Sequence, residues 1–157
     1  MIPEKVRKVL DAHGLTAAEF APGSTATSVL AAQQLGVAVG QIAKSMLFAG
    51  KDGRFFIVVC PGDRRLSSAK LKAAAGVKSR MASAEEALAT TGFGPGGVCP
   101  FGLGADIRVF VDQGLSAYPT IYPAAGTDSS GVPMTFEKLV AITAGTVGDF
   151  LADAGGG

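Results

Sequence analysis

Lys44 is the charged residue whose setting points most directly to chemistry. It lies near the start of an otherwise apolar segment, QIAKSMLF, which runs from Gln41 to Phe48. An ammonium group in apolar surroundings is costly unless it is paired or faces a ligand. The alternative is a lysine at the end of a strand that extends its ammonium group into water. From the residues alone, Lys44 is either a ligand-binding cation or an ordinary surface lysine.

A glycine-rich loop is the second feature that can bind a ligand. Residues 92–105 contain six glycines and two prolines, and loops of this length in compact domains are usually functional. Residues 92–97 have the GxGxxG spacing, but the dinucleotide-binding motif needs a strand before it and a helix after it. Here a predicted helix precedes the match and Pro100 follows it. We expect an ordered loop that presents its backbone to a ligand, with a flexible glycine linker as the alternative.

The sequence offers few cysteines and histidines for nucleophilic catalysis or for binding a metal. It contains two cysteines, Cys60 and Cys99, and one histidine, His13. A reactive cysteine needs a base or a cation beside it, whereas Cys99 is flanked by Val98 and Pro100. We expect both thiols to be buried and inert, with a thiol hydrolase that uses Cys99 as a less favoured alternative. A zinc site of cysteines and histidines is not available, and we expect neither a metal nor a cofactor.

Positive charge is concentrated in the middle of the chain. The segment from Lys44 to Arg80 contains nine lysines and arginines and two aspartates, although the net charge of the whole chain is +1. From Met81 onward there are two basic and eight acidic residues. Clustered basic side chains neutralise phosphates and release counterions. The segment is therefore either a surface that binds a polyanion or a solvated face without a partner.

Short helices and strands must position these residues. Caps and hydrophobic periodicity predict helices over residues 3–12, 28–35, 68–75, 83–89 and 136–143. Alternating or apolar runs predict strands over residues 43–49, 54–60, 79–82, 107–112, 120–123 and 132–135. Because the elements interleave and several strands are joined by hairpins, we expect a mixed α/β (α+β) fold. Its central sheet should be largely antiparallel and surrounded by short helices.

Length and hydrophobicity limit the classes of protein to which the chain can belong. A chain of 157 residues, 48% of them hydrophobic, predicts a single domain over residues 1–153, followed by a flexible glycine tail at 154–157. The longest strongly apolar run, Phe55–Cys60, has six residues, whereas a membrane span needs about 20. The first residues show no signal-peptide core. We therefore expect a soluble, cytoplasmic protein that does not bind membranes.

Three segments resemble, in order and spacing, the YbaK/prolyl-tRNA editing-domain family. They are QIAKSMLF, VVCPGDRRLSSAKLKAAAG and GGVCPFGL, and the resemblance runs from Ser24 to Ala125 and more loosely to Phe150. Members of that family are small deacylases, free-standing or inserted in prolyl-tRNA synthetases, that hydrolyse the ester of mischarged tRNA. The resemblance implies a curved central sheet and the acceptor end of mischarged tRNA as partner. An aminoacyl-tRNA synthetase is a further candidate partner.

The resemblance also implies roles for individual residues. The essential lysine of the family falls on Lys44, and its GxxxP loop falls on Gly96–Pro100, so that Lys44 and Gly97 are the implied catalytic positions. The implied substrate-binding residues are Thr25, Thr27, Gly96, Val98, Cys99, Pro100 and Gly126. From the basic segment, the residues expected to contact tRNA are Arg64, Arg65, Lys70 and Lys72.

Two departures from the family pattern concern the amino acid that is removed. Cys99 and Ala124 stand where the family often has serine, and the turn continues with residues 127–130, which are candidates for setting specificity together with Thr25. The loop resembles the serine/threonine-editing branch more than the alanine-editing one. Serine, threonine, alanine and cysteine all remain candidates for the amino acid that is removed. We expect a trans-editing deacylase that works by positioning, with the ribose hydroxyl of the substrate assisting the attack of water. The alternative is a non-catalytic module of the same fold that binds tRNA or nucleotides.

Overall fold

The computed structural model describes residues 1–153, which form five α-helices and seven strands. The helices are α1 (Glu4–Ala12), α2 (Ser28–Leu35), α3 (Ser68–Ala75), α4 (Ala84–Thr91) and α5 (Phe136–Thr143). The strands are β1 (Ala18–Glu19), β2 (Ala43–Gly50), β3 (Phe55–Pro61), β4 (Ser79–Met81), β5 (Arg108–Asp112), β6 (Ser130–Gly131) and β7 (Thr146–Gly148). The predicted tail at 154–157 lies outside the described residues.

The helices begin and end where the sequence places caps. Thr27, Ser67 and Ser83 each accept a hydrogen bond from a backbone N–H in the first turn of α2, α3 and α4. The glycine that follows each of these helices adopts a left-handed conformation, which stops the helix. No helix in the described part of the chain has both the length and the apolar character needed to cross a membrane.

The main sheet has the strand order β4-β2-β3-β5-β7. β2 pairs antiparallel with β3 and β4, whereas β5 pairs parallel with β3 and β7. β1 and β6 form a separate antiparallel pair. The predicted mixed α/β class with a mixed central sheet is confirmed, and two of the four pairings in that sheet are antiparallel.

Both faces of the main sheet are covered. On one face, Ile57 and Val59 of β3 pack in a core that includes α1 and the glycine-rich loop. On the other face, Phe56 and Val58 pack against α3. Since β3 is buried on both faces and paired on both edges, a ligand cannot reach the sheet at this strand.

The glycine-rich loop is ordered and packs into the core. Residues 92–105 contain no helix or strand, yet Phe93 is 0% and Phe101 1% exposed. Two buried aromatic side chains fix the path of the loop on the first face of the sheet. The flexible-linker alternative is therefore wrong.

Two predicted strands are not formed. Residues 120–123 and 132–135 contribute only isolated bridges. Pro123 and Pro133 lack the backbone N–H that a continuous ladder needs, which limits pairing in both segments. In their place the chain forms the short pair β1–β6 and the edge strand β7, none of which the sequence analysis predicted.

Candidate active site

A cleft of about 260 Å³ lies beside the first half of β2. Its walls come from α2 and the segment before it, the glycine-rich loop, the start of α4, and residues 122–130. Five of the residues singled out in the sequence line this cleft: Thr25, Thr27, Lys44, Gly96 and Val98. Segments far apart in the chain are therefore brought together around β2.

The edge of β2 is open inside the cleft. At one end the N–H of Ala43 donates to the carbonyl of Tyr122 (3.1 Å), and at the other the N–H of Ala82 donates to the carbonyl of Leu47 (2.9 Å). Backbone groups of alternate residues point to the same side of a strand. Ser45, midway between these bonds, therefore presents its N–H and C=O toward the cleft, where β4 does not pair with it. An unpaired strand edge of this kind can bind a ligand through the backbone.

The side chain of Ser45 also lacks a partner. Its hydroxyl oxygen is buried and forms no hydrogen bond with any described residue. An unsatisfied buried hydroxyl typically costs about 1–3 kcal/mol, and such groups are often found at functional sites. The sequence analysis missed Ser45, because neither the burial of its hydroxyl nor the point at which β4 stops pairing with β2 is visible in the local sequence.

Lys44 is held at the wall of the cleft. Its Nζ donates a hydrogen bond of 2.8 Å to the carbonyl of Arg64, in partly buried surroundings. An ammonium group has three donors, and no other described residue accepts a hydrogen bond from Nζ, so two donors remain for a ligand. Lys44 is therefore a fixed cation with unused donors at the edge of the cleft, rather than a side chain that extends freely into water.

Thr25 and Thr27 position the segment that enters α2. Thr25 is buried, and its hydroxyl accepts from the N–H of Ser130 (3.0 Å) and donates to the carbonyl of the same residue (3.3 Å). Thr27 accepts from the N–H of Leu30 (3.2 Å) as the cap of α2. No described residue accepts the hydroxyl hydrogen of Thr27, which can therefore donate to a ligand, whereas the hydroxyl hydrogen of Thr25 is used in holding the wall.

The GxxxP loop packs backbone against backbone. Gly96 has φ +78°, and a Cβ there would lie 3.0 Å from the Cα of Ala26. A Cβ on Gly97 would lie 2.9 Å from the carbonyl oxygen of Gly126. Glycine is therefore needed at both loop positions, and the closeness of the loop to the neighbouring segments shapes the cleft. Gly97 and Gly126 are buried behind the cleft wall.

Cys99 and Pro100 also lie below the surface. Cys99 is 0% exposed, and burial raises the pKa of its thiol to about 12. Its Sγ donates a weak hydrogen bond to the carbonyl of Phe101 (3.8 Å). Cys60 is equally buried, and desolvation raises its pKa to about 12 as well. A thiol in this state is not a nucleophile at neutral pH. The prediction of buried thiols is confirmed, and the arrangement gives no support to a thiol hydrolase.

The four residues expected to contact tRNA do not form one cluster of free charges. Arg64 donates to a backbone carbonyl of the C-terminal segment (3.0 Å). Lys70 forms an ion pair with Asp149 (2.8 Å). Arg65 and Lys72 are exposed. None of the four lines the cleft beside β2.

Comparison with known proteins identifies related chains. Residues 23–142 match the family model described as aminoacyl-tRNA editing domain. An uncharacterized protein of Bacillus subtilis, YwhH, is 39% identical over 116 residues, which cover 74% of each chain. EbsC of Enterococcus faecalis, named as a candidate Cys-tRNA(Pro)/Cys-tRNA(Cys) deacylase, is 28% identical over 73% of this chain and 70% of its own. A solved structure described as a candidate trans-editing enzyme for prolyl tRNA synthetase is 34% identical, with a TM-score of 0.86 and 96% of each chain covered.

Proposed function

The chain belongs to the aminoacyl-tRNA editing domain family, and from that premise we propose that it is a trans-acting deacylase for mischarged aminoacyl-tRNA. The observation that carries the proposal is the convergence of Lys44, the glycine-rich loop and the segment before α2 on one cleft. The names of two similar proteins, a Cys-tRNA deacylase and a trans-editing enzyme for prolyl tRNA synthetase, support this reaction class. The acceptor end of the tRNA, carrying the aminoacyl ester, is the substrate that the cleft would receive.

In this proposal Lys44 holds the terminal adenosine. Its two unused donors bind a phosphate or ribose oxygen, while the bond to the carbonyl of Arg64 fixes the direction of the ammonium group. A fixed cation that orients the ester lowers the barrier by positioning rather than by proton transfer. Lys44 is thus a binding and orienting group for the reacting end of the substrate.

Water must attack the ester without a protein base. The cleft is lined by no histidine, aspartate, glutamate or cysteine among the described residues. The ribose hydroxyl beside the ester can orient the attacking water and relay its proton. A bond forms between the water oxygen and the carbonyl carbon, the ester C–O bond breaks, and the proton ends on the departing ribose oxygen.

Backbone groups complete the proposed site. The glycine-rich loop, including Gly97 and the GxxxP turn, keeps the cleft wall rigid, and the open edge of β2 at Ser45 supplies hydrogen-bond groups to the substrate. Preorganised donors are the largest single contribution in many acyl-transfer sites. In this arrangement no cofactor and no metal takes part in any step.

The size of the cleft favours a small amino acid. A volume of about 260 Å³ is below the range of about 300–1,000 Å³ typical for drug-sized ligands. The lining combines apolar residues, such as Ala31 and Leu35, with polar residues, such as Thr27 and Ser45. Serine, threonine, alanine and cysteine esters all fit this combination, and proline-accepting tRNA is the first acceptor to examine.

A deacylation panel tests the proposed function. Seryl, threonyl, alanyl and cysteinyl esters would be offered on tRNAs that accept proline, threonine, alanine and cysteine. We expect rapid hydrolysis of at least one mischarged tRNA and slow hydrolysis of the correctly charged forms. Tight tRNA binding without hydrolysis of any ester would instead support the non-catalytic binding module.

A further inference from the structure

A second groove, of about 610 Å³, begins next to the cleft. It is formed by the end of β2 and its hairpin turn, the start of α3, and residues 78–80. The two sites meet along β4, because Met81 lines the cleft while Ser79 and Arg80 line the groove. A strand rises about 3.3 Å per residue, so this groove starts within about 10 Å of the cleft.

The lining of the groove is strongly basic. Lys51, Lys72, Lys78 and Arg80 line it, and none of the described residues that line it is acidic. Arg80 is paired with Glu86 (2.7 Å). The ammonium groups of the three lysines form no ion pair or hydrogen bond with any residue from 1 to 153. The N–H of Lys51 donates to the carbonyl of Lys78 (2.8 Å), which keeps these two residues side by side.

The start of α3 adds neutral donors to this charge. The hydroxyl of Ser67 accepts a hydrogen bond from the N–H of Lys70. The N–H groups of Ser68 and Ala69, in contrast, have no partner within the helix. Both of these residues line the groove. The N-terminus of a helix carries partial positive charge and binds phosphate oxygens. Helix donors and three free ammonium groups are therefore two independent features that favour a phosphate at this place.

Other cations of the basic segment are used within the protein. Lys44 and Arg64 donate to backbone carbonyls, and Lys70 pairs with Asp149. Asp52, the acid next to the groove in the hairpin turn, accepts the backbone N–H of the residue two positions on (3.1 Å). Of the five cations of the segment whose side chains bond to no described residue, three line the groove, while Arg54 and Arg65 are exposed elsewhere.

We propose that this groove binds backbone phosphates of the acceptor strand of the tRNA whose 3′ end occupies the cleft. The inference rests on the proposed function, since it uses the cleft as the place of the ester. Met81, whose side chain is 59% exposed, lies between the two sites and offers an apolar surface to a nucleobase. Lys51 and Lys78, together with Lys72, are the phosphate-binding residues, while Arg64 and Lys70 mainly hold the C-terminal segment.

The double variant Lys51→Ala/Lys78→Ala tests this groove. Its matched control is Arg7→Ala/Lys8→Ala, which removes the same charge from an exposed part of α1 outside both sites. Binding of uncharged tRNA would be measured by fluorescence anisotropy over a range of salt concentrations. We expect the groove variant to flatten the slope of log K against log salt by about one to two units and to weaken binding at least about tenfold at 0.1 M salt. The control should match the unmodified protein.

A second arm separates this inference from the proposed function. Hydrolysis of full aminoacyl-tRNA and of 3′-aminoacyl-adenosine would be compared, because the short ester reaches the cleft but not the groove. The groove variant should lose kcat/KM on the tRNA and stay within about twofold of the unmodified protein on the short ester. Equal losses on both substrates, or a salt slope equal to that of the control, would overturn the groove assignment. If no ester is hydrolysed at all, the proposed function fails while the binding arm still tests the groove.

Discussion

Ser45 combines a hydroxyl without a partner with an open backbone edge in the cleft. Ser45→Ala removes an unsatisfied buried group, so the free energy of unfolding should stay equal or rise by up to about 1 kcal/mol. We expect this hydroxyl to turn toward bound substrate, so the same change should lower kcat/KM for the mischarged tRNA about three- to tenfold, the effect of losing a hydrogen bond worth about 1 kcal/mol. Urea denaturation and a deacylation assay measure the two effects. A marked loss of stability would show that the hydroxyl has a partner within the fold.

The two thiols give a prediction about pH. Burial raises the pKa of Cys60 and of Cys99 from 9.0 to about 12, so that at pH 8 the reactive thiolate is almost absent. We expect the native protein to resist iodoacetamide at pH 8, and both thiols to react once the protein is unfolded in guanidinium. Cys99→Ala should keep deacylation within about tenfold of the unmodified enzyme. Rapid alkylation of native Cys99, accompanied by inactivation, would instead support Cys99 as the nucleophile of a thiol hydrolase.

At the scale of elements, the contact between the glycine-rich loop and the turn at Gly126 sets the cleft wall. In Gly97→Ala the new Cβ would lie 2.9–3.0 Å from backbone atoms of Gly126 and Thr127, which cannot move away as a flexible side chain would. We expect a loss of about 1–3 kcal/mol in the free energy of unfolding together with reduced activity. Gly94→Ala is the control for stability, because nothing lies within 4 Å of its Cβ. Similar unfolding midpoints for the two variants would contradict the packing argument.

The elements that sequence predicts best are those with local signals. Ser67 and Ser83 mark helix starts, since a cap acts within one turn. β7 has three residues and pairs with β5, which lies more than 30 residues earlier in the chain. No local sequence pattern therefore predicts this strand. The strands predicted at 120–123 and 132–135 fail because proline interrupts their pairing. Local chemistry therefore fixes the helices, while contacts distant in the chain decide the short strands.

At the scale of the whole molecule, the use of each charge depends on distant partners. Lys70 and Asp149 are 79 positions apart, and Arg64 lies 88 positions from the carbonyl to which it donates. The basic segment was evident in the sequence, but which of its cations stay free was not. Lys44 was singled out by its apolar segment and given a role by the family resemblance, whereas Ser45 was recognised only from the open edge of β2.

The cleft and the basic groove together describe one path for the end of a tRNA. The ester would lie beside Lys44, and the acceptor strand would cross β4 near Met81 to reach Lys51 and Lys78. The groove residues bind the substrate equally well in its ground state and its transition state. Their replacement should therefore raise KM and leave kcat nearly unchanged. Replacement of Lys44, which lies beside the ester, should lower the rate at which bound substrate is hydrolysed.

The rate of single-turnover deacylation by Lys44→Ala tests the central claim most directly. The substrate would be the mischarged tRNA that the unmodified protein hydrolyses fastest, with enzyme in saturating excess so that binding does not limit the rate. We expect a loss of at least about 100-fold, the scale found when one electrostatic stabiliser is removed from a preorganised site. Lys8→Ala, an exposed lysine of α1, should leave the rate unchanged. A Lys44→Ala protein that hydrolyses bound substrate at nearly the normal rate would contradict the account.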